Sequence, residues 1–262
     1  MQRYALIIEY DGTNYCGWQM QTHSSSVQAR VEQALTSVAD QTVTVVASGR
    51  TDTAVHAFAQ CAHFDTDAKR EHKAWVLGVN ARLPADISIR SVTAVPDDFH
   101  ARYSTCGRTY RYSILNRSAR SALMRQRQSV IYPRLNTQAM HSAAQCLIGE
   151  HDFSSFRAAG CQAKHAVREI TSVSVHRHVD QVTVEICGNA FLHNMVRIIV
   201  GSLIRVGTGV ESDGWLRHVL QLRDRTRAGA TAPAQGLYFM GPDYPPEFGI
   251  PDWRNALPLG PF

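Results

Sequence analysis

The sequence contains no C-x-x-C pair, so it lacks the motif of a zinc ribbon or of a thioredoxin-like redox site. It also lacks an uncharged apolar run of about 18 residues, the length that a membrane helix requires. The longest apolar-rich stretch, 196–206, is interrupted by Arg197 and Arg205, and no signal-like apolar region precedes Glu9. We therefore expect a cytoplasmic protein with no membrane segment, whose six cysteines are reduced thiols.

Nucleotide-binding loops are missing as well. Neither G-x-x-x-x-G-K-[ST] nor G-x-G-x-x-G occurs, which argues against a P-loop and against a dinucleotide site. The two closest of the twelve histidines, His176 and His178, fit one face of an alternating strand, where packed or exposed histidines are commoner than a metal site. The sequence therefore predicts neither a metal nor a small-molecule cofactor.

What the sequence does contain is the composition of a folded protein. Its 262 residues are 44% hydrophobic and 19% charged, and 27 Lys+Arg against 22 Asp+Glu give a net charge of +5. This length predicts one large domain or two domains of roughly 100 to 150 residues.

The positive charge is concentrated in one region, 102–134, which we call the arginine segment. It has no lysine and no acidic residue, and its eight arginines are Arg102, Arg108, Arg111, Arg117, Arg120, Arg125, Arg127 and Arg134. Four tyrosines are interleaved with them. Arginine forks bind phosphate oxygens bidentately and aromatic rings stack on bases, so the segment favours nucleic acid over a merely solvated surface. We expect the RNA contacts at Arg117, Arg120, Arg125 and Arg127.

Hydrophobic periodicity predicts an α+β fold. In the first half, strands are expected at 4–10, 42–47, 57–64 and 87–95, and helices at 27–38 and 69–82. A capping box of Ser25 and Gln28 is expected to start the first helix. The order β-α-β-β-α-β is a split βαβ, or ferredoxin-like, motif.

The second half repeats this order. Strands are expected at 108–115, 167–178, 182–188 and 237–240, and helices at 136–147 with Asn136 as cap, at 191–206 and at 215–223. We predict two ferredoxin-like halves with a combined, mostly antiparallel sheet flanked by helices. The N-terminal half spans 1–104, the C-terminal half 105–245, and a proline-rich extended tail 246–262.

The best candidate for chemistry is the loop at 48–56, with the sequence S-G-R-T-D-T-A-V-H. Asp52 would stand between two strands, where rigid scaffolds position reactive groups, and Arg50 would favour its ionised form. An aspartate in a tight loop can instead serve only as a turn residue. His56 could act with Asp52 as a base, or it could be a packed or solvent-exposed histidine. No second carboxylate lies nearby to support a paired-acid glycosidase.

Several motifs, in order, carry a resemblance to a known family. They are E-Y-D-G at 9–12, G-W-Q at 17–19, G-R-T-D at 49–52 with V-H at 55–56, F-H-A-R at 99–102, Y-R-Y at 110–112, D-F-S-S-F at 152–156 and F-L-H-N-M-V-R at 191–197. With them, the chain from about residue 3 to 245 resembles the tRNA pseudouridine synthase A family. The resemblance implies the pseudouridine synthase fold, a homodimer without a cofactor, and isomerisation of uridines 38, 39 and 40 in the anticodon stem-loop of tRNA.

The resemblance also implies the roles of individual residues. Asp52 matches the family's catalytic nucleophile, and Tyr110 matches the tyrosine that packs against the target base. Arg50 matches the arginine that takes the place of the flipped nucleotide, and Arg197 matches the arginine that pairs with the catalytic carboxylate. The family loop usually has glycine where Ala54 stands, so a positive φ there would strain this alanine.

Several alternatives stay open at the level of the sequence. Asp52 could attack C1′ of the sugar, attack the base, or assist formation of a glycal, and each route requires a flipped base. The chain could instead be a non-catalytic tRNA-binding protein in which Asp52 is a turn residue. It could also be an RNA nuclease or a ribonucleoside hydrolase that uses Asp52 with His56.

Overall fold

The computed structural model describes residues 1–252 as a mixed α+β protein with mostly antiparallel strands. The strands are Gln2–Tyr10 (β1), Val46–Ala47 (β2), His56–Thr66 (β3), Ile87–Val95 (β4), Gly107–Leu115 (β5), Ser129–Val130 (β6), Gly149–Asp152 (β7), Val167–His178 (β8), Gln181–Gly188 (β9) and Leu237–Asp243 (β10). The α-helices are Val27–Ala39 (α1), His72–Asn80 (α2), Thr137–Ala144 (α3), Met195–Gly207 (α4) and Trp215–Leu222 (α5). The α+β class predicted from the sequence is confirmed. Within the described residues, no helix has both the length and the apolar character needed to cross a membrane.

The described residues divide into two compact units, the first of which comprises Met1–Arg108 and residues 238–252. Its strand order is β4-β1-β3-β10, with β2 also paired to β3. β1 is antiparallel to β3 and β4, whereas β10 is parallel to β3. The hydrophobic pattern alone assigns the last strand to the second half of the chain. Its pairing with β3 places it in the first unit.

Both faces of the first unit's sheet are covered, which explains why Tyr4 to Ile8 are all buried rather than alternating. On one face, Tyr4 stacks on Phe64, and Trp75 of α2 packs against both rings. On the other face, Ile7 joins a core cluster with Phe99, against which residues 244–250 pack.

That second face corrects the prediction of an extended tail at 246–262. Pro246–Phe248 is a short 3-10 helix, and the rings of Tyr244 and Phe248 each meet the ring of Phe99 with centroids 5.1 Å apart. Burial of these side chains holds the segment against the sheet despite its prolines. Residues 253–262, the rest of the predicted tail, lie outside the described residues.

The second unit comprises the described residues Thr109–Leu237. Its strand order is β5-β9-β8-β7, with the short β6 parallel to β5. β8 and β9 form an antiparallel hairpin closed by the two residues between His178 and Gln181. The side chain of Asn136 caps α3 by accepting a hydrogen bond from the N–H of Ala139, as predicted.

Several element boundaries differ from those predicted. β4 and β8 have the predicted bounds, but the predicted strand at 42–47 is reduced to β2, and β6 and β7 were not predicted. The side chain that caps α1 is Ser26, which accepts from the N–H of Ala29, so the Ser25–Gln28 capping box is wrong. α4 begins at Met195 rather than at 191, because Asn194 adopts a left-handed conformation with φ of 59°.

Candidate active site

The loop between β2 and β3 begins on a buried polar anchor. The N–H of Ser48 donates to the carbonyl of Cys61 (2.8 Å), and the Ser48 hydroxyl donates to Gln60 Oε1 (2.7 Å). Gln60 Nε2 in turn donates to the carbonyl of Gly49 (2.9 Å). Ser48 and Gln60 are both fully buried, so these bonds fix the entry of the loop against β3.

The middle of the loop is held through Thr51, one residue before the candidate aspartate. Its hydroxyl lies 2.7 Å from the buried hydroxyl of Tyr10, and its carbonyl accepts from the N–H of Trp18 (3.0 Å). Gly17 has φ of 87°, and a Cβ there would lie 2.5 Å from the Thr51 carbonyl oxygen. Only glycine combines that conformation with that close approach.

The loop ends in a turn in which the N–H of Val55 donates to the main-chain carbonyl of Asp52 (3.1 Å). Ala54 has φ of 61°, in the left-handed region, and its N–H donates to the carbonyl of Tyr15 (3.3 Å). A Cβ on Gly12 would lie 2.0 Å from the carbonyl oxygen of Val55. We call Tyr10, Gly12, Gly17 and Trp18 the loop clamp.

The clamp displays Asp52 and Arg50 on one short, fixed loop. The Asp52 residue is half-buried, and Arg50 is exposed. Asp52 thus stands between two strands, as predicted. The positive φ that would strain Ala54 is present, so this loop carries an energetic cost that a glycine would avoid.

His56 is a packed histidine, one of the alternatives that the sequence leaves open. It is fully buried, its ring stacks on Tyr238 with centroids 4.8 Å apart, and its Nδ1 lies 3.0 Å from an Asp11 carboxylate oxygen. The main-chain nitrogen of Gly12 lies 3.1 Å from the same Nδ1. The hydrogen bond with His56 holds the pKa of Asp11 well below its usual range. These contacts favour a structural role for His56 over that of a general base.

Tyr110 and Arg197 belong to the second unit. Tyr110, on β5, is half-buried and meets Phe191 edge to face, with centroids 5.0 Å apart. Arg197 lies in the first turn of α4, where Nε donates to the carbonyl of Ala232 (2.7 Å) and Nη1 donates to Asn194 Oδ1 (2.8 Å). These two hydrogen bonds orient its guanidinium.

The structure separates the arginines of the arginine segment by role. Arg111 pairs with Glu185 (2.7 Å), and Arg108 donates to the carbonyl of Ser48 (3.0 Å), so these two stabilise the fold and the loop entry. The four arginines predicted to contact RNA are all exposed: Arg117, Arg120, Arg125 and Arg127. Some are ordered locally, since Arg117 Nε donates to the carbonyl of Ala119 (2.8 Å) and Arg125 Nη1 to that of Ala122 (3.3 Å).

The loop clamp is the part of the site that the residue chemistry alone did not predict. Its members lie in the E-Y-D-G and G-W-Q motifs, which were informative only as part of a family resemblance. The available signal was the pair of glycines, Gly12 and Gly17, because a glycine near a strand end often marks a close backbone approach. Within residues 1–252, no three or more histidine, cysteine, aspartate or glutamate side chains are grouped to hold a metal ion.

Comparison with known proteins defines the class of protein to which the fold and the site belong. Residues 6–104 and 143–245 match the family model described as tRNA pseudouridine synthase. Asp52, Arg50 and Arg197 lie within the matched ranges, whereas Tyr110 and the four exposed arginines lie between them.

Similar proteins also cover the intervening residues. The chain is 51% identical over 259 residues to tRNA pseudouridine synthase A of Photobacterium profundum, covering 99% of this chain and 98% of that protein. It is 49% identical over 257 residues to the protein of the same name from Escherichia fergusonii, covering 98% and 94%. The chain belongs to the tRNA pseudouridine synthase family.

Proposed function

We propose that the protein isomerises uridine to pseudouridine at positions 38, 39 and 40 in the anticodon stem-loop of tRNA. It acts as a homodimer in the cytoplasm, where this substrate is found, and it uses no cofactor. The observation that carries the proposal is the loop clamp, which holds the loop bearing Asp52 by buried hydrogen bonds to Thr51 and by close contact at Gly12 and Gly17. A reactive carboxylate needs such a rigid support.

The reaction needs one well-placed carboxylate and no redox partner. The bond between C1′ and N1 of the uridine breaks, the uracil rotates, and C5 bonds to C1′. The proton on C5 is released to solvent, and N1 takes up a proton in its place. Asp52 starts this sequence by attack on C1′, by attack on the base, or by assisting a glycal. Each route ends with the Asp52 carboxylate regenerated, so the product is an isomer of the substrate.

Three further residues have assigned roles in this proposal. Tyr110 stacks on the uracil while it is detached, and Arg50 takes the place of the flipped nucleotide. Arg197 pairs with the Asp52 carboxylate and keeps it ionised and oriented. The fixed guanidinium of Arg197 supports this role, because a prepositioned cation loses little freedom when it pairs.

The exposed arginines at 117–127 contact the tRNA backbone in this proposal. An RNA stem-loop is recognised mainly by shape and phosphate contacts, which suits an enzyme that modifies three neighbouring positions. Arg120→Ala with Arg125→Ala should raise KM and flatten its salt dependence without changing kcat, whereas Lys69→Ala with Arg70→Ala, at another exposed site, should change neither. A fall in kcat at saturating tRNA would contradict the assignment.

The decisive experiment uses tRNA labelled with tritium at C5 of uridine. The wild type should release tritium and leave the strand intact, and carbodiimide adduct mapping should place the product at positions 38 to 40. Asp52→Asn should bind tRNA normally but release no tritium. Asp213→Asn, a change of the same chemistry at an exposed site, should behave as the wild type.

Each rival function gives a different result in the same assay. A non-catalytic binding protein would bind tRNA and release no tritium even as the wild type. A nuclease would shorten the RNA, and a ribonucleoside hydrolase would release free uracil. Any of these three results from the wild type would refute the proposed function.

A further inference from the structure

A polar groove of about 710 Å³ lies in the first unit, beside the segment that precedes the loop clamp residue Gly17. One wall is a single stripe of α1, formed by Arg30, Gln33, Ala34 and Ser37 at helical spacing. The remaining lining comes from the chain before α1 and from the loop after α2: Asn14, Tyr15, Ser25, Arg82, Leu83 and Pro84. A volume of this size is within the range of ligand sites in proteins.

The charged groups of the groove favour an anion. Arg30 is exposed and lines the groove, and its positive charge acts on the neighbouring Tyr15 hydroxyl. Among the described residues no hydrogen bond or salt bridge occupies its five N–H donors. Arg82 is oriented, because its Nε donates to Ser37 Oγ (2.6 Å) and its Nη1 to the carbonyl of Gly78 (3.3 Å).

The acid next to this wall, Asp86, does not cancel that charge by an ion pair. One of its oxygens accepts from the hydroxyl of Tyr15 (2.5 Å), and the other accepts from Asn14 Nδ2 (3.2 Å). Both oxygens therefore already have donors on the groove wall. An anion entering the groove would meet two arginines and several amide and hydroxyl groups.

The groove is joined to the loop that carries Asp52. The main-chain carbonyl of Tyr15, which lines the groove, accepts a hydrogen bond from the N–H of Ala54 (3.3 Å). Ala54 is two residues beyond Asp52. The N–H of Cys16 donates to the carbonyl of Ser25, another lining residue (2.9 Å). An RNA strand bound at Asp52 can therefore extend to this groove within the same unit.

We propose that the groove binds phosphodiester groups of the RNA strand that flanks the target uridine, through Arg30 and Arg82. This rests on the proposed function, because it takes RNA as the substrate at Asp52. The groove is distinct from the exposed arginines at 117–127, which belong to the second unit. It adds a backbone contact on the unit that holds the catalytic loop.

The test measures the dissociation constant of a fluorescent anticodon stem-loop RNA by anisotropy, at salt from about 50 to 200 mM. Arg30→Ala should weaken binding by about 3- to 10-fold and reduce the slope of log K against log salt by about 0.7 to 0.9, the value for one lost phosphate contact. Arg30→Lys should keep the slope but lose part of the affinity, because lysine cannot bind bidentately. The kcat of both variants at saturating RNA should equal that of the wild type.

Arg70→Ala is the matched control, since it removes one exposed arginine of the same unit outside the groove. Unchanged affinity and slope in Arg30→Ala would overturn the groove proposal, as would equal losses in Arg30→Ala and Arg70→Ala. Both results are compatible with tritium release by the wild type, which leaves the proposed function standing. Absence of tritium release from the wild type would instead refute the proposed function.

Discussion

The left-handed conformation of Ala54 makes a quantitative prediction about the catalytic loop. Alanine at φ of 61° bears a steric cost of roughly 1–2 kcal/mol that glycine does not bear. Glycine has more freedom in the unfolded chain, which costs roughly 0.5–1 kcal/mol. The difference between these two costs is about 0–1.5 kcal/mol, so Ala54→Gly should stabilise the protein by roughly 0.75 kcal/mol, the middle of that range. For a chain of this size that difference raises the unfolding temperature by roughly 1–4 °C.

A larger side chain at the same position should have the opposite effect. Ala54→Val places a β-branched residue at a positive φ, which is a severe backbone conflict, and we expect a loss of about 1–3 kcal/mol. Turnover of Ala54→Gly should stay within about twofold of the wild type, because Thr51 and Val55 still tie the loop through hydrogen bonds. The measurements are thermal unfolding followed by circular dichroism, and tritium release.

Two glycine substitutions elsewhere control for the general effect of glycine. Val179 has φ of 52° and is 76% exposed. Val179→Gly should also stabilise the protein, because it relieves the positive φ and removes no buried apolar area. Ala81, with φ of −64°, should become less stable by about 0.5–1 kcal/mol. The reasoning would be refuted if Ala54→Gly lowered stability as Ala81→Gly does, while Val179→Gly raised it.

Three further predictions concern buried polar groups. Tyr10→Phe leaves the Thr51 hydroxyl without its buried partner, so the free energy of unfolding measured in urea should fall by about 1–3 kcal/mol. In the same variant kcat should fall while KM stays unchanged. An unchanged kcat would show that the loop clamp does not position Asp52. Burial lowers the pKa of His63 from 6.5 to about 4, so the folded state favours the neutral ring. The free energy of unfolding should therefore be highest above pH 6.5 and fall by up to about 3 kcal/mol as the pH is lowered towards 4. His63→Gln should remove this pH-dependent loss. Tyr112→Phe removes the donor to the carbonyl of Pro233 (2.7 Å) and should cost about 1–3 kcal/mol, whereas no loss would show that water satisfies that carbonyl.

Local patterns predicted the elements that local interactions determine. β4 and β8 have the predicted bounds because alternation and flanking turn residues define both ends. The predicted start of α4 is too early because the apolar spacing extends back to Phe191. The left-handed conformation of Asn194 prevents the helix from starting before Met195. The tail was misjudged because its prolines argue for an extended chain, whereas the contact of Phe248 with Phe99 depends on residues far apart in sequence.

In the candidate site, too, the locally determined features were predictable and those that depend on distant residues were not. Asp52 was found because a polar loop between two strands is visible in the sequence, and the family motifs gave its role. The loop clamp was not predicted, because the bond between Tyr10 and Thr51 spans 41 positions and only the fold brings the two hydroxyls together. The charge of Arg111 was assigned to a general basic segment, but its partner Glu185 lies 74 positions away.

The return of β10 to the first unit has a consequence for synthesis on the ribosome. β3 pairs with β10 at Ala57 and Phe239, and the apolar surface around Phe99 is covered by residues 244–250, so the N-terminal unit is incomplete until nearly the whole chain has emerged. At roughly 5–20 residues per second, translation of residues 109–237 delays that completion by roughly 6–26 s. Throughout that interval the nascent chain has an unpaired strand edge and an uncovered apolar face, and an unpaired edge can pair with a strand of another chain. The last strand therefore makes the timing of translation part of how this enzyme folds.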